Sequence, residues 1–373
     1  MPRSALIHLV LFLLITSSTS LGNTTEPIKI ASIFAHTGVA AAPNSHVLRG
    51  VRFAVTEINN RGGISACPIE LVEIDNRSTP IGSKVAADRA VRENVTAIIG
   101  ASWSSHSLAV AKVAQASGIP MIAPDSTNSA VTRVGDYIFR ACFTDPFQGQ
   151  VMARFAAEDL SARTAVMFVN VASDYSMGLA ESFQAGFESL GGTVLKQIHY
   201  EHEQNSYRNE VASAMGLAAD VIYIPGHDDE SARILMAARH AKLSGIPIGT
   251  DGWSTESFFL RGGRRVPQGY YCAHWSKDLQ SPKSMHFVAT YQQPGAALST
   301  EVLGYDAMCL MADAIQRAGT MNRIRIRDAL AATRDFEGVS GRISFDENGD
   351  PVKPAVIMEI IDGQPRFVKQ VAP

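Results

Sequence analysis

Few stretches of this 373-residue chain combine residue types at a spacing that could do chemistry. His199, Glu201, His202 and Glu203 crowd together and could hold a metal ion weakly, but a solvated polar loop between a strand and a helix accounts for them better. Gly100-Ala101-Ser102-Trp103-Ser104 has a central serine but lacks the closing glycine of a nucleophile elbow, so no hydrolase is signalled. No glycine-rich phosphate loop precedes a lysine, and no dinucleotide fingerprint follows a strand. Arg261, Arg264 and Arg265 read as a surface turn or a docking patch; Arg323, Arg325 and Arg327 read as a solvated helix start. The expectation is a protein that is not an enzyme and needs no cofactor or metal.

The remaining candidates are polar residues that directly follow short apolar runs. Ser104 and Ser105 follow the run 95–99 and stand where a helix begins. A helix start leaves N–H groups free and carries the positive end of the dipole, so a carboxylate is a natural guest there. Either serine could instead be an ordinary N-cap, and both roles can hold at once. Asp125 and Thr127 follow the run 119–123 in the same way; Asp125 is a turn residue after Pro124 or an anion placed in a pocket.

The elements that must position these residues follow from hydrophobic periodicity. Strands are expected at 28–34, 69–74, 95–99 and 119–123, with helices between them, including a stripe of Val47, Leu48, Val51, Ala54, Val55 and Ile58 stopped by Gly62-Gly63. After about residue 145 the alternation restarts. Strands are expected at 165–169, 193–195, 221–224 and 246–249, and a second Gly-Gly, Gly191-Gly192, closes a helix. This order predicts an α/β chain of two similar doubly wound lobes with parallel sheets. Beyond Gly249 the pattern is irregular, with helices expected at 302–317 and 324–332 as pieces of a chain that shuttles between lobes.

Composition agrees with a globular protein of about two domains: 46% of residues are apolar, 18% are charged, and the formal net charge is -3. That balance argues against a nucleic-acid partner. Residues 1–22 read as a secretory signal peptide: Arg3 is their only charge, and the apolar run 5–15 is too short to span a bilayer. The first cysteine is Cys67, far from the expected cleavage point, so a free periplasmic protein without a lipid anchor is expected.

From Ile28 onward the chain resembles the periplasmic solute-binding proteins of branched-chain amino acid ABC transporters, the leucine/isoleucine/valine-binding type. The likeness is carried by an ordered set: Thr37-Gly38, Glu57-Ile58-Asn59 with Gly62-Gly63-Ile64, and Ile69-Glu70-Leu71-Val72 with Asp75. It continues through Ile98-Ile99-Gly100 with Ser104-Ser105, Gly118-Ile119-Pro120 with Pro124 and Thr127-Asn128, Phe139-Arg140, Asp145 with Gln148-Gly149, and Asp174-Tyr175. Gly249 with Asp251-Gly252, Tyr305-Asp306-Ala307, and Phe336-Glu337-Gly338 with Gly341 complete it.

The resemblance implies a type I periplasmic binding fold whose lobes, 23–143 with 274–338 and 145–272 with 340–373, are joined by a three-strand hinge. It implies capture of an amino acid, branched-chain or otherwise neutral, in the cleft and delivery to an ABC permease by a monomer. A ligand-sensing module for a receptor, or a binder of another small amine or amide, are the alternatives. Ser104 then holds the ligand carboxylate, the loop bearing Thr127 holds its amino and carboxylate groups, Tyr175 reaches the ligand on closure or else packs on its own lobe, and Asp251 pairs with the ligand ammonium. Three positions depart from the pattern: Asp125 replaces a small residue, His227 a tyrosine, and Asp251 a longer glutamate; His227 either lines the cleft or is solvated on the polar loop Gly226-His227-Asp228. Trp253 is either an apolar wall or a core residue, and Pro43, Trp103 and Leu298 are further candidates for setting pocket size. Cys142 and Cys272 flank the expected crossings, so an oxidising compartment could bridge them if their α-carbons lie within ~7 Å.

Overall fold

The structure, a computed structural model, describes residues 26–201, 204, 206–291 and 298–373. The expected leader at 1–22, and His202 and Glu203 of the histidine-glutamate stretch, lie outside the described residues.

Five apolar runs form the first sheet: β1 (Ile28–Phe34), β2 (Ile69–Asp75), β3 (Ala97–Gly100), β4 (Met121–Ala123) and β5 (Ile138–Arg140). They pair in parallel in the order β2-β1-β3-β4-β5. Alternate residues serve opposite faces, so the fully buried β3 and β4 read as uninterrupted apolar runs, whereas the edge strand β2 carries Glu70 and Glu73. Ile30, Phe34, Ile99 and Ile122 join one core cluster, under helices α1 (Ala41–Asn60) and, from later in the chain, α10 (Ser299–Ala318). Ala31, Ile33, Ile98 and Met121 join another with α2 (Pro80–Arg92) and α3 (Ser104–Ala116). The strand order reverses between β1 and β3, and at such a switch point a crevice opens outside the carboxyl ends of the strands.

The chain crosses after β5 into α4 (Asp145–Arg154) and builds the second sheet from β6 (Thr164–Asn170), β7 (Thr193–Tyr200), β8 (Val221–Ile224), β9 (Ile246–Gly249) and β10 (Gln268–Ala273). Helices α5 (Asp174–Ser189), α6 (Arg208–Ala212), α7 (Asp228–Ala241) and α8 (Glu256–Arg261) connect these strands. It then returns for α9 (Pro282–Thr290), α10, α11 (Arg323–Ala331) and a small sheet of β11 (Phe336–Gly338), β12 (Gly341–Phe345) and β13 (Pro351–Val352). A last crossing adds β14 (Ala355–Ile361) and β15 (Gln364–Val371) antiparallel to the second sheet, whose order is β15-β14-β10-β9-β8-β6-β7. Ile343 and Phe345 still pack in the first core, so this passage comes later than 338–340.

The repeated Gly-Gly has a backbone cause. Gly63 (φ +77°) and Gly191 (φ +83°) turn the chain after α1 and α5 through the left-handed region, where a side chain is strained. A β-carbon on Gly63 would also lie 2.2 Å from the Cys67 carbonyl oxygen.

All four cysteines are free, with Cys142 and Cys272 buried, so the considered bridge is absent from this structure. Alkylation after unfolding without reductant is expected to modify all four thiols. Mass spectrometry finding only two modified would mean that a disulfide forms after all.

Candidate functional site

The site is assembled at the carboxyl ends of both sheets. After β3 the chain passes through Ala101, Ser102 and Trp103 before α3 begins at Ser104. The N-cap of α3 is Trp103, held at φ +66° with no side-chain cap, so neither serine is the cap. Ser104, only 2% exposed, accepts a hydrogen bond at Oγ from the N–H of Asn128 at 3.2 Å, while Ser105 is half-buried. The His106 and Ser107 N–H groups donate to the Trp103 carbonyl, which leaves the Ser104 and Ser105 N–H groups without an acceptor in the helix. Ser107 Oγ donates to the Ala101 carbonyl at 2.8 Å and lies 2.7 Å from Ser126 Oγ, which fixes the two strand-end loops against each other.

Asp125 stands on the loop after β4. Ser102 Oγ donates to its Oδ2 at 2.7 Å, and its Oδ1 is buried with no partner. Burial, reinforced by the Asp251 charge against the relief from Ser102, pushes the Asp125 carboxyl up to about 7. Thr127 is fully buried; its hydroxyl helps to hold down the Asp145 carboxyl against burial, and its carbonyl accepts the Asp145 N–H at 2.9 Å at the start of α4.

In the second lobe, Tyr175 lies in the first turn of α5, whose Ser173 Oγ accepts the Ser176 N–H. Its hydroxyl donates to Asp251 Oδ1 at 2.7 Å, lies 2.7 Å from Thr250 Oγ1, and accepts the Gly252 N–H at 3.1 Å. Gln148 grips the same acid from two sides: Nε2 donates to Asp251 Oδ1 at 2.9 Å, and Oε1 accepts the Asp251 N–H at 2.7 Å. His274 Nε2 lies 3.1 Å from Asp251 Oδ2. Burial works to raise the Asp251 carboxyl, but His274, Tyr175 and Gln148 outweigh it and hold the group below the ordinary carboxylate range. Asp251 is therefore an anion at neutral pH.

His227 sits between two aromatic rings, stacked on Trp103 at 4.4 Å and on Tyr175 at 4.8 Å between centroids. Burial pushes its imidazole down to about 4, which leaves it neutral. The Trp103 stack joins the first lobe to the second, as does the 2.7 Å bond from Asn128 Nδ2 to the Asp174 carbonyl. The lobes are thus closed on one another, and His227 lies inside the closure rather than in a solvated loop.

Trp253 is a correction. It is fully buried in the second core, stacked on Phe258 at 5.0 Å, with Phe258, Tyr271 and the Gly249 backbone around it. It shapes the loop bearing Asp251 from behind and is not a wall of the cleft.

Sequence reasoning missed roles for Gln148, His274 and Ser102. A glutamine beside a glycine inside a helical period was a usable signal for Gln148; His274 had none, because only the pairing of β10 with β9 brings it to Asp251. Among the described residues no hydroxyl or thiol contacts His274 Nδ1, so the Asp251–His274 pair has no nucleophile to activate. The described residues also hold no cluster of three or more metal-ligating side chains. What the arrangement can do is hold a small polar solute: a helix start at Ser104 suits a carboxylate, and a fixed anion at Asp251 suits an ammonium.

A family model described as periplasmic binding protein matches residues 27–365. A leucine-, isoleucine-, valine-, threonine- and alanine-binding protein of Pseudomonas aeruginosa is 25% identical over 330 residues, 87% of each chain. Among solved structures, a leucine-binding protein of Thermotoga maritima superposes with a TM-score of 0.89 at 35% identity, covering 93% of this chain and 99% of that one. The branched-chain amino acid transporter substrate-binding protein of Streptococcus pneumoniae, solved with isoleucine, has a TM-score of 0.88 at 30% identity over 93% and 100% of the two chains.

Proposed function

The chain belongs to the periplasmic binding protein family, and from that premise we propose that it captures an amino acid or a related amine between its lobes. It then hands this solute to an ABC permease. The observation that carries the reading is Asp251, kept ionised by Gln148, Tyr175 and His274, on the lobe closed against the Ser104 helix start. Removing an ammonium and a carboxylate from water is expensive unless each meets a fixed partner. These two positions supply such partners, and the relatives that bind leucine or isoleucine support the choice of amino acids as the class. The leader-like segment 1–22 supports export, and no helix of the described residues is long and apolar enough to cross a membrane.

Thermal unfolding with an amino-acid and amine panel tests the reading. A solute at about 100 times its Kd should add ~2.7 kcal/mol of stability. No shift with any member would remove the proposal. Ser104→Ala is expected to weaken binding of the best solute by about 1 kcal/mol, roughly fivefold, because the backbone N–H groups of the first turn remain. Calorimetry on that variant checks it, and a loss near a thousandfold would mean that the hydroxyl itself is the main contact.

A further inference from the structure

Asp125 is a cleft residue that capture of a simple zwitterion leaves without a role. β3 and β4 are paired neighbours, so Ser102 and Asp125 emerge together at the strand ends beside the α3 start. The Ser102 hydroxyl occupies Oδ2, whereas Oδ1 is buried and unpartnered. An acceptor enclosed without a donor is destabilising, and two acids enclosed in one cleft repel each other.

The surroundings offer no compensating charge. His106 and His227 are kept neutral by burial. The fully buried cations of the described residues are engaged elsewhere. Arg140 donates to the Ser126 carbonyl and Thr132 Oγ1 and pairs with Asp350, and Lys353 donates to the Ala141 carbonyl and Ser340 Oγ. An aliphatic side chain in the closed cleft would leave Asp125 Oδ1 unpaired. A second nitrogen cation would pair it and remove the repulsion with Asp251.

We infer that the solute carries two cationic nitrogens, as a basic amino acid or a small diamine does, with Asp125 as the second anionic contact besides Asp251. This rests on the cleft being the solute site. Both sources share the chemistry of two ammonium-like groups, and the helix start at Ser104 adds a carboxylate contact that only the amino acid uses.

Calorimetry at about pH 8, where Asp125 is ionised, with lysine, arginine, 1,4-diaminobutane and leucine decides the matter. A cationic probe should bind at least ~10-fold more tightly than leucine, and Asp125→Asn should weaken that probe by ~30-fold or more. Asp125→Ala serves as a second variant, with thermal melts of both free variants to establish that they fold. Lysine or arginine binding above the diamine assigns the amino acid source; the reverse assigns the diamine. Leucine as the tightest probe, or a folded Asp125→Asn protein binding the cation within ~3-fold of the parent, overturns the inference while the amino-acid cleft stands. Absence of binding by every probe overturns the cleft reading and the inference together.

Discussion

Asp251→Asn is expected to weaken solute binding by ~2 to 5 kcal/mol, about 30- to several-thousand-fold in Kd. The substitution keeps shape and removes charge, so the ligand ammonium loses its ion partner inside a closed, poorly hydrated cleft. The free protein should keep its fold. The asparagine oxygen can still accept from Gln148 Nε2 and the Tyr175 hydroxyl, which converge on Oδ1. The new amide nitrogen would face His274, whose unpartnered Nδ1 can take the ring proton so that Nε2 becomes an acceptor. Calorimetry gives the affinity, and a melt of the free variant gives its stability. A folded Asp251→Asn protein that binds within ~3-fold of the parent would move the ammonium contact elsewhere, first to Asp125.

Why the two strand-end loops of the first lobe stood out in the sequence, and other parts did not, follows from the range of the interactions; Asp251 came from the family resemblance alone. Parallel strands buried on both faces leave an apolar run in the sequence, so β1, β8 and β9 were readable to the residue. The glycines after α1 and α5 were readable because a left-handed backbone selects its residue locally. Strand β15 alternates exposed polar residues at the sheet edge, and β10 and β14 lie in the irregular region after Gly249; none carried a comparable signal. The site divides in the same way. Residues at strand ends announce themselves by the run before them, as Ser104 and Asp125 do. Trp253 misleads because an aromatic residue beside a functional acid reads equally as wall or core, and the stack on Phe258 decides for the core. His274 depends on the pairing of β10 with β9, which sets it beside an acid 23 positions away and which no local pattern encodes.

Asp125→Asn is expected to make the free protein more stable at about pH 8 and no more stable near pH 4, even as it damages binding. The folded-state carboxyl titrates at about 7, against about 3.9 for an unfolded chain. Below pH ~4 both states are protonated and the group is neutral to stability. Between ~4 and ~7 the unfolded chain releases its proton while the folded protein holds on to it, so stability falls as pH rises. Above ~7 the full penalty of a buried anion is present, on the order of 2 to 4 kcal/mol at 1.36 kcal/mol per pKa unit. Asparagine carries no charge and escapes this penalty, although Asp145, also pushed up by burial to about 8, retains its own in both proteins. Urea unfolding of parent and variant at about pH 5 and pH 8 should therefore show the two curves separating with rising pH. A variant whose stability tracks the parent at both values would mean that Asp125 is better solvated than its enclosure indicates. A separation together with lost binding would mark Asp125 as a residue whose place in the cleft is destabilising until a solute supplies the missing positive charge.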